Sequence, residues 1–198
     1  MIGFAGRVSL SAPMKTYVII HGTKGSPDGN WFPWLARELE QQGHRAMVPR
    51  MPTPEGQSLE GWLSTFAQQV APIDANTTLI GHSLGATFLL RLLERLDRRA
   101  CQSVFVAGPI GMIGIPEFDA LNATFIEGPF DWATIRRNAG RILCFSGEGD
   151  PYVPAAQTEQ LSEGLGVPNY IIPKGRHLNS ESGHTSFTAL LESLDIGG

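Results

Sequence analysis

The sequence is poor in cysteine: Cys101 and Cys144 are the only two in 198 residues. Two cysteines cannot build a disulfide scaffold, so the fold must rest on buried apolar surface, and an intracellular, cytoplasmic setting is expected. Cys144 lies in the apolar run Ile142–Phe145 and reads as a core thiol. Charge is also scarce, at 17% of residues, with 15 basic and 19 acidic side chains and a net charge of -4. A nucleic-acid partner calls for a basic stripe, and the sequence has none. The densest basic group, Arg91, Arg95, Arg98 and Arg99, follows helical spacing and reads as the solvated side of a helix. No apolar run approaches the roughly 20 residues that cross a bilayer, so no membrane is expected. Residues 1–13 lack the basic start and long apolar core of a signal peptide. Residues 1–14 read as a loose extension, with Met14 as an alternative start. The five histidines, His21, His44, His82, His177 and His184, form no His-Glu-x-x-His or other close ligand set. Neither a metal nor a cofactor is expected.

What the sequence does have is glycine at telling places. A short apolar run ends in Gly81-His82-Ser83-Leu84-Gly85, and a helical pattern starts at once. Gly-x-Ser-x-Gly between a strand and a helix is the nucleophile elbow, which holds a serine up at the end of a strand. The chain around it alternates. Apolar runs at Tyr17–Ile20, Ala46–Val48, Thr77–Ile80, Ser103–Ala107, Ile142–Phe145 and Tyr170–Ile172 read as strands. Helical patterns at Trp31–Gln42, Leu59–Val70, Leu84–Leu96, Asp131–Ala139, Ala155–Leu165 and Ser186–Leu194 separate or follow them. This order predicts an α/β fold with a mainly parallel sheet covered on both faces, in one domain over 15–198. Right-handed crossovers then gather the loops after the strands along one edge. The stretch 108–138 is less regular but rich in apolar residues, among them Ile113, Phe118, Phe125 and Phe130. It reads either as a small cover over that edge or as completion of the core.

A serine nucleophile needs a base, and the base needs an orienting acid. His177 follows the sixth strand, in Gly175-Arg176-His177-Leu178-Asn179, and is the candidate base. His184 is its local rival. His82 adjoins Ser83 and is expected to pack beneath or beside the elbow, and His44 belongs to the opposite edge. Asp150 follows the fifth strand, in Glu148-Gly149-Asp150-Pro151, and is the candidate acid, with Glu148 as the alternative. The chain order Ser83, Asp150, His177 is that of an α/β-hydrolase. The tetrahedral oxyanion needs donors. Leu84 N–H follows the nucleophile, and Thr23 N–H lies in the loop His21-Gly22-Thr23-Lys24-Gly25 after the first strand. That loop lacks the Lys-Ser/Thr end of a phosphate cradle. His21, Trp31 and Arg176 are candidate pocket residues. Trp34 and Trp62, on helical patterns, read as core.

At this point the chain resembles the small serine hydrolases that include the Bacillus YdeN protein and retinoblastoma-binding protein nine, within the α/β-hydrolase superfamily. The resemblance runs from about Lys15 to Leu194. Its marks are His21-Gly22-Thr23-Lys24-Gly25-Ser26-Pro27, Asn30-Trp31-Phe32-Pro33-Trp34-Leu35, the elbow, Asp150-Pro151-Tyr152-Val153-Pro154 and the His177 loop. It implies a compact three-layer αβα sandwich without the first two strands of larger members. The six strands then lie in the order 2-1-3-4-5-6. It implies Ser83 as nucleophile, Asp150 as acid and His177 as base, with no cofactor. Related enzymes often carry Gly before the histidine. Arg176 stands there here and would make the pocket more positive. The expected function is hydrolysis of small or medium acyl esters or thioesters through an acyl-enzyme on Ser83. A peptidase or amidase with the same triad is one alternative. A catalytically weak interaction protein on a hydrolase scaffold is the other.

Overall fold

The strands bury side chains on both faces, so the sheet must be covered twice. In the computed structural model, residues 14–70, 72–194 and 196 are described. The expected extension over 1–14 therefore falls, apart from Met14, outside the described residues. The strands are β1 (Thr16–Ile20), β2 (Arg45–Met47), β3 (Thr77–His82), β4 (Gln102–Val106), β5 (Arg141–Gly147) and β6 (Asn169–Ile172). They form one sheet in the order β2-β1-β3-β4-β5-β6, as the resemblance implies, and every pairing is parallel. The chain leaves β1 in one direction and β3 in the other. Beyond the carboxyl ends of these two strands the loops diverge, and a crevice opens.

The helices are α1 (Phe32–Gln41), α2 (Leu59–Gln69), α3 (Leu84–Leu93), α4 (Pro116–Ile126), α5 (Trp132–Asn138), α6 (Ala155–Leu165) and α7 (Thr188–Ser193). Strand alternation splits the core in two. Val18, Ile20, Leu79, Phe105 and Cys144 face a layer with Trp62 and Phe66 of α2, Phe88 of α3, Phe125 of α4, Ile135 of α5 and Leu161 of α6. Tyr17, Ile19, Ile80, Val104 and Phe145 face Phe32, Leu35 and Leu39 of α1 and Leu190 of α7. The expected core roles of Trp62 and Cys144 follow from this packing. Trp34 is partly buried against the second cluster. Burial pushes the Cys144 thiol up to about 12, so it stays protonated and unreactive.

In its secondary structure and core the structure departs from the sequence reading at Arg91, in the stretch before β5 and in the last helix. Arg91 is buried rather than solvated. Its guanidinium donates to the carbonyls of Phe125, Glu127, Gly128 and Pro129 and sits 4.0 Å over the Phe130 ring. A helical basic stripe does not reveal that one member will meet the orphan carbonyls at the end of another helix. Within the irregular stretch, α4 forms at Pro116, with Asp119 accepting from Ile113 N and Gly114 N. Its apolar residues do not follow a clear helical stripe, which hid it. The last helix is shorter than expected and follows a 3-10 turn at Ser180–Ser182.

Candidate active site

Ser83 stands at the β3–α3 turn with φ 56° and ψ -126°. A non-glycine residue in this region is strained, and only a tightly packed surrounding holds it there. That packing comes from close backbone approach. A Cβ on Gly85 would lie 2.3 Å from the Ile20 carbonyl oxygen, so α3 begins in direct contact with the end of β1. A Cβ on Gly22 would lie 2.6 Å from Ser83 Cβ. Ser83 N donates to Val106 O at 2.8 Å, which ties the turn to β4.

Asp150 sits in the loop after β5. Its Oδ1 accepts from Tyr152 N at 2.9 Å and Val153 N at 3.1 Å. Its Oδ2 faces His177 Nδ1 at 2.8 Å. Two backbone donors fix the aim of this carboxylate. His177 Nδ1 carries the proton toward that acceptor. Nε2 is then free to accept from Ser83 Oγ, which lies 3.0 Å away. Glu148 turns aside, where its carboxylate accepts from Lys174 N. His184 packs its ring near Phe187 and meets none of these groups.

The His177 loop is held from below. Arg176 and Leu178 flank the histidine with φ of 50° and 51°. The carbonyl of His177 accepts from His82 Nε2 at 2.9 Å, and that of Leu178 from Trp31 Nε1 at 2.9 Å. A carbonyl only accepts, so His82 carries its proton on Nε2. Burial, reinforced by the neighbouring His177, lowers the His82 pKa to about 3, so this ring is a neutral donor. The expected place of His82 beside the elbow is where it lies.

A cleft of about 370 Å³ opens onto Ser83 and His177. Pro109, Ile113, Phe118 and Val153 give it apolar surface, and Asn30, Ser180 and Glu181 a polar side. None of His21, Trp31 and Arg176 lines it. His21 is fully buried and bridges two loops, donating from Nδ1 to Gly22 O and accepting at Nε2 from Met51 N. Burial lowers its pKa, which keeps that pattern of one donor and one acceptor. Trp31 is turned under the His177 loop, and Arg176 points outward to solvent. Proximity in sequence to a catalytic motif did not give proximity to the cleft.

Tyr152 and Asn122 line the cleft without having been singled out by the sequence, and Phe118, expected in a cover or in the core, joins them. Tyr152 sets its ring 4.9 Å from that of His177 and donates its hydroxyl to Glu181. Phe118 and Asn122 come from α4, and Asn122 binds the Thr23 hydroxyl. Asp-Pro-Tyr is the signal that could have marked Tyr152. No pattern marked Asn122. Phe125, Ile110 and Phe130 of the same stretch join the core. Among the described residues, no cluster of His, Cys, Asp and Glu could hold a metal ion. No helix among them is long and apolar enough to cross a membrane.

The strand-ending serine, the histidine behind it and the buried carboxylate on a parallel sheet define a hydrolase of the α/β type. The serine hydrolase family matches residues 17–195, and the chain belongs to that family. Its machinery is that of ester or thioester hydrolysis through an acyl-enzyme. YdeN of Bacillus subtilis is 30% identical over 180 residues, which cover 91% of this chain and 94% of YdeN. The crystal structure of YdeN matches with a TM-score of 0.84 over 90% of this chain and 96% of that one. The serine hydrolase RBBP9 of Rattus norvegicus is 26% identical over 176 residues, 87% of this chain and 91% of RBBP9. Est1E from Butyrivibrio proteoclasticus shares the fold at a TM-score of 0.63 and 14% identity, over 91% of this chain and 89% of Est1E.

Proposed function

We propose that Ser83 is the nucleophile, His177 the general base and Asp150 the acid that orients it. The backbone N–H groups of Thr23 and Leu84 receive the oxyanion. The observation that carries this reading is one continuous chain, Ser83 Oγ to His177 Nε2 at 3.0 Å and His177 Nδ1 to Asp150 Oδ2 at 2.8 Å. As Ser83 Oγ attacks the acyl carbonyl carbon, its proton passes to His177 Nε2. The Asp150 carboxylate stabilises the imidazolium that results. The carbonyl oxygen gains charge, and each amide donor aimed at it contributes about 3 kcal/mol in the transition state. His177 then protonates the departing alcohol or thiol, and a water activated by His177 frees the acid.

The substrate class we infer is a small or medium uncharged acyl ester or thioester. The modest cleft and its apolar wall of Pro109, Ile113, Phe118 and Val153 support this. Each buried methylene adds roughly 0.8 kcal/mol until the wall runs out. Residues 108–138 act as a partial cover, since α4 supplies Phe118 and Asn122 to the cleft. A single domain over 15–198 with a cytoplasmic location fits the two unpaired cysteines.

Intact-mass labelling with a fluorophosphonate, followed by peptide mapping, tests the assignment. The expected result is one adduct, on Ser83, lost in Ser83→Ala. An adduct elsewhere, or none on folded protein, overturns it. An acyl-length series of p-nitrophenyl esters should peak at short or medium chains. Efficiency rising steadily through long chains would defeat the small-cleft reading.

A further inference from the structure

Asn122 lies one helical turn after Phe118 on α4, and both line the cleft. It is only 5% exposed. Its partners leave one orientation for the amide. The terminal amide of Gln57 places an atom 3.0 Å from the Leu121 carbonyl oxygen. A carbonyl only accepts, so that atom is Nε2, a donor. The same Nε2 lies 3.0 Å from the Asn122 side chain, whose facing atom must accept and is Oδ1. The Thr23 hydroxyl donates to that Oδ1 as well, at 2.6 Å. Gln57 Oε1 accepts from Thr53 Oγ1, which in turn accepts from Lys24 N. Both lone pairs of Asn122 Oδ1 are thus taken by the loop that carries Thr23 and by Gln57. The two N–H bonds on Nδ2 point away from this network. They have no hydrogen-bond partner among the described residues, and Asn122 lines the cleft.

A buried amide with unused donors beside the apolar Phe118 ring discriminates between ligands. A plain alkyl chain seated there strips water from Nδ2 and leaves buried donors unpaired. An oxygen at the same place replaces the water. Sites built this way reject analogues that lack the matching group more strongly than sites that merely miss a methylene. The acyl arm is the one concerned, because Phe118, one helical turn from Asn122, gives this part of the cleft apolar surface.

We propose that Asn122 is a substrate-binding residue whose Nδ2 donates to a neutral oxygen on the acyl group. The enzyme therefore prefers keto- or hydroxy-acyl esters to plain alkyl esters of equal length. This rests on the hydrolase reading above. The test uses two matched pairs of p-nitrophenyl esters, 3-hydroxybutanoate with butanoate and 4-oxopentanoate with pentanoate. Values of kcat/KM are divided by the nonenzymic rates, which removes differences in intrinsic reactivity. The full chain should favour the oxygenated member of at least one pair by roughly tenfold. Asn122→Leu, close in shape, should bring that ratio to about one. Its loss of the Thr23 contact lowers both members alike and cancels in the ratio.

A ratio of about one in the unmodified protein overturns the proposal, however the variant folds. An equal fall on all four esters in Asn122→Leu also overturns it, since a group that only positions Thr23 or serves the oxyanion acts on every ester. Turnover of alkyl esters without a preference leaves the hydrolase reading intact. No turnover of any ester, with Ser83 unlabelled by a fluorophosphonate, removes both.

Discussion

The elbow and the histidine loop hold their residues by opposite means. Ser83 is fixed by close backbone approach, with Gly85 against the Ile20 carbonyl and Gly22 against the Ser83 side chain. His177 is fixed by two ring N–H groups, from His82 and Trp31, that take the carbonyls of consecutive residues. The first device needs the absence of side chains and leaves a local signature of glycines. The second needs particular side chains from distant segments and leaves none. Strain is present in both, at Ser83 in one and at Arg176 and Leu178 in the other.

The largest expected effect comes from the group that aims His177 from its other side. Asp150→Asn keeps the shape but offers a donor to Nδ1 and so favours the wrong imidazole tautomer. The loss in kcat should approach 10⁴-fold, the order seen when a serine protease triad is changed this way. Ester hydrolysis with matched circular dichroism measures it. A loss below about tenfold would shift the acid role away from Asp150.

Gly85→Ala attacks the elbow. The added methyl meets backbone at 2.3 Å, which cannot move aside cheaply. A destabilisation of about 3 kcal/mol or more is expected in urea unfolding. Wild-type stability in this variant would mean that the elbow does not depend on backbone contact.

His82→Phe attacks the histidine loop. It fills the space and leaves the His177 carbonyl buried without a donor, at about 1–3 kcal/mol. A fall in kcat of roughly tenfold or more is expected, with KM little changed. His82→Gln restores a donor and should recover part of the rate. Equal rates in both variants would remove the hydrogen bond from the account. Trp31→Phe, which deletes the donor to Leu178 O one residue further on, should show the same pattern at smaller size.

The remaining effect is on pH. His82 titrates near 6.5 when unfolded and near 3 when folded. Between these values the unfolded chain binds the extra proton, so stability is full above about 6.5 and declines as pH falls toward 3. Urea midpoints across that range should fall less steeply for His82→Gln than for the parent. Parallel slopes would show that His82 does not contribute to acid sensitivity.

These residues also show where sequence reasoning works. Ser83, Asp150 and His177 were legible because each stands just past a strand, in a loop with its own turn chemistry. The sheet order came with the family resemblance. Helix α4 was not legible, since its apolar residues do not keep a clean helical period. Arg91 was misread because its burial depends on carbonyls some 35 residues later in sequence. His21, Trp31 and Arg176 were placed by nearness in the chain, and the side-chain directions sent each away from the cleft.

By itself the sequence determined the local events: which runs become strands, where the serine turn forms, and which acid and base follow which strand. Those depend on propensity, periodicity and glycine, which act over a few residues. Only the tertiary structure decided which hydrogen-bond donors meet which carbonyls. His82 under His177, Trp31 under Leu178 and Gln57 beside Asn122 join segments 95, 147 and 65 residues apart. A hydrogen bond at about 3 Å needs both groups aimed correctly. That aim is set by packing across the sheet, and no one segment contains it.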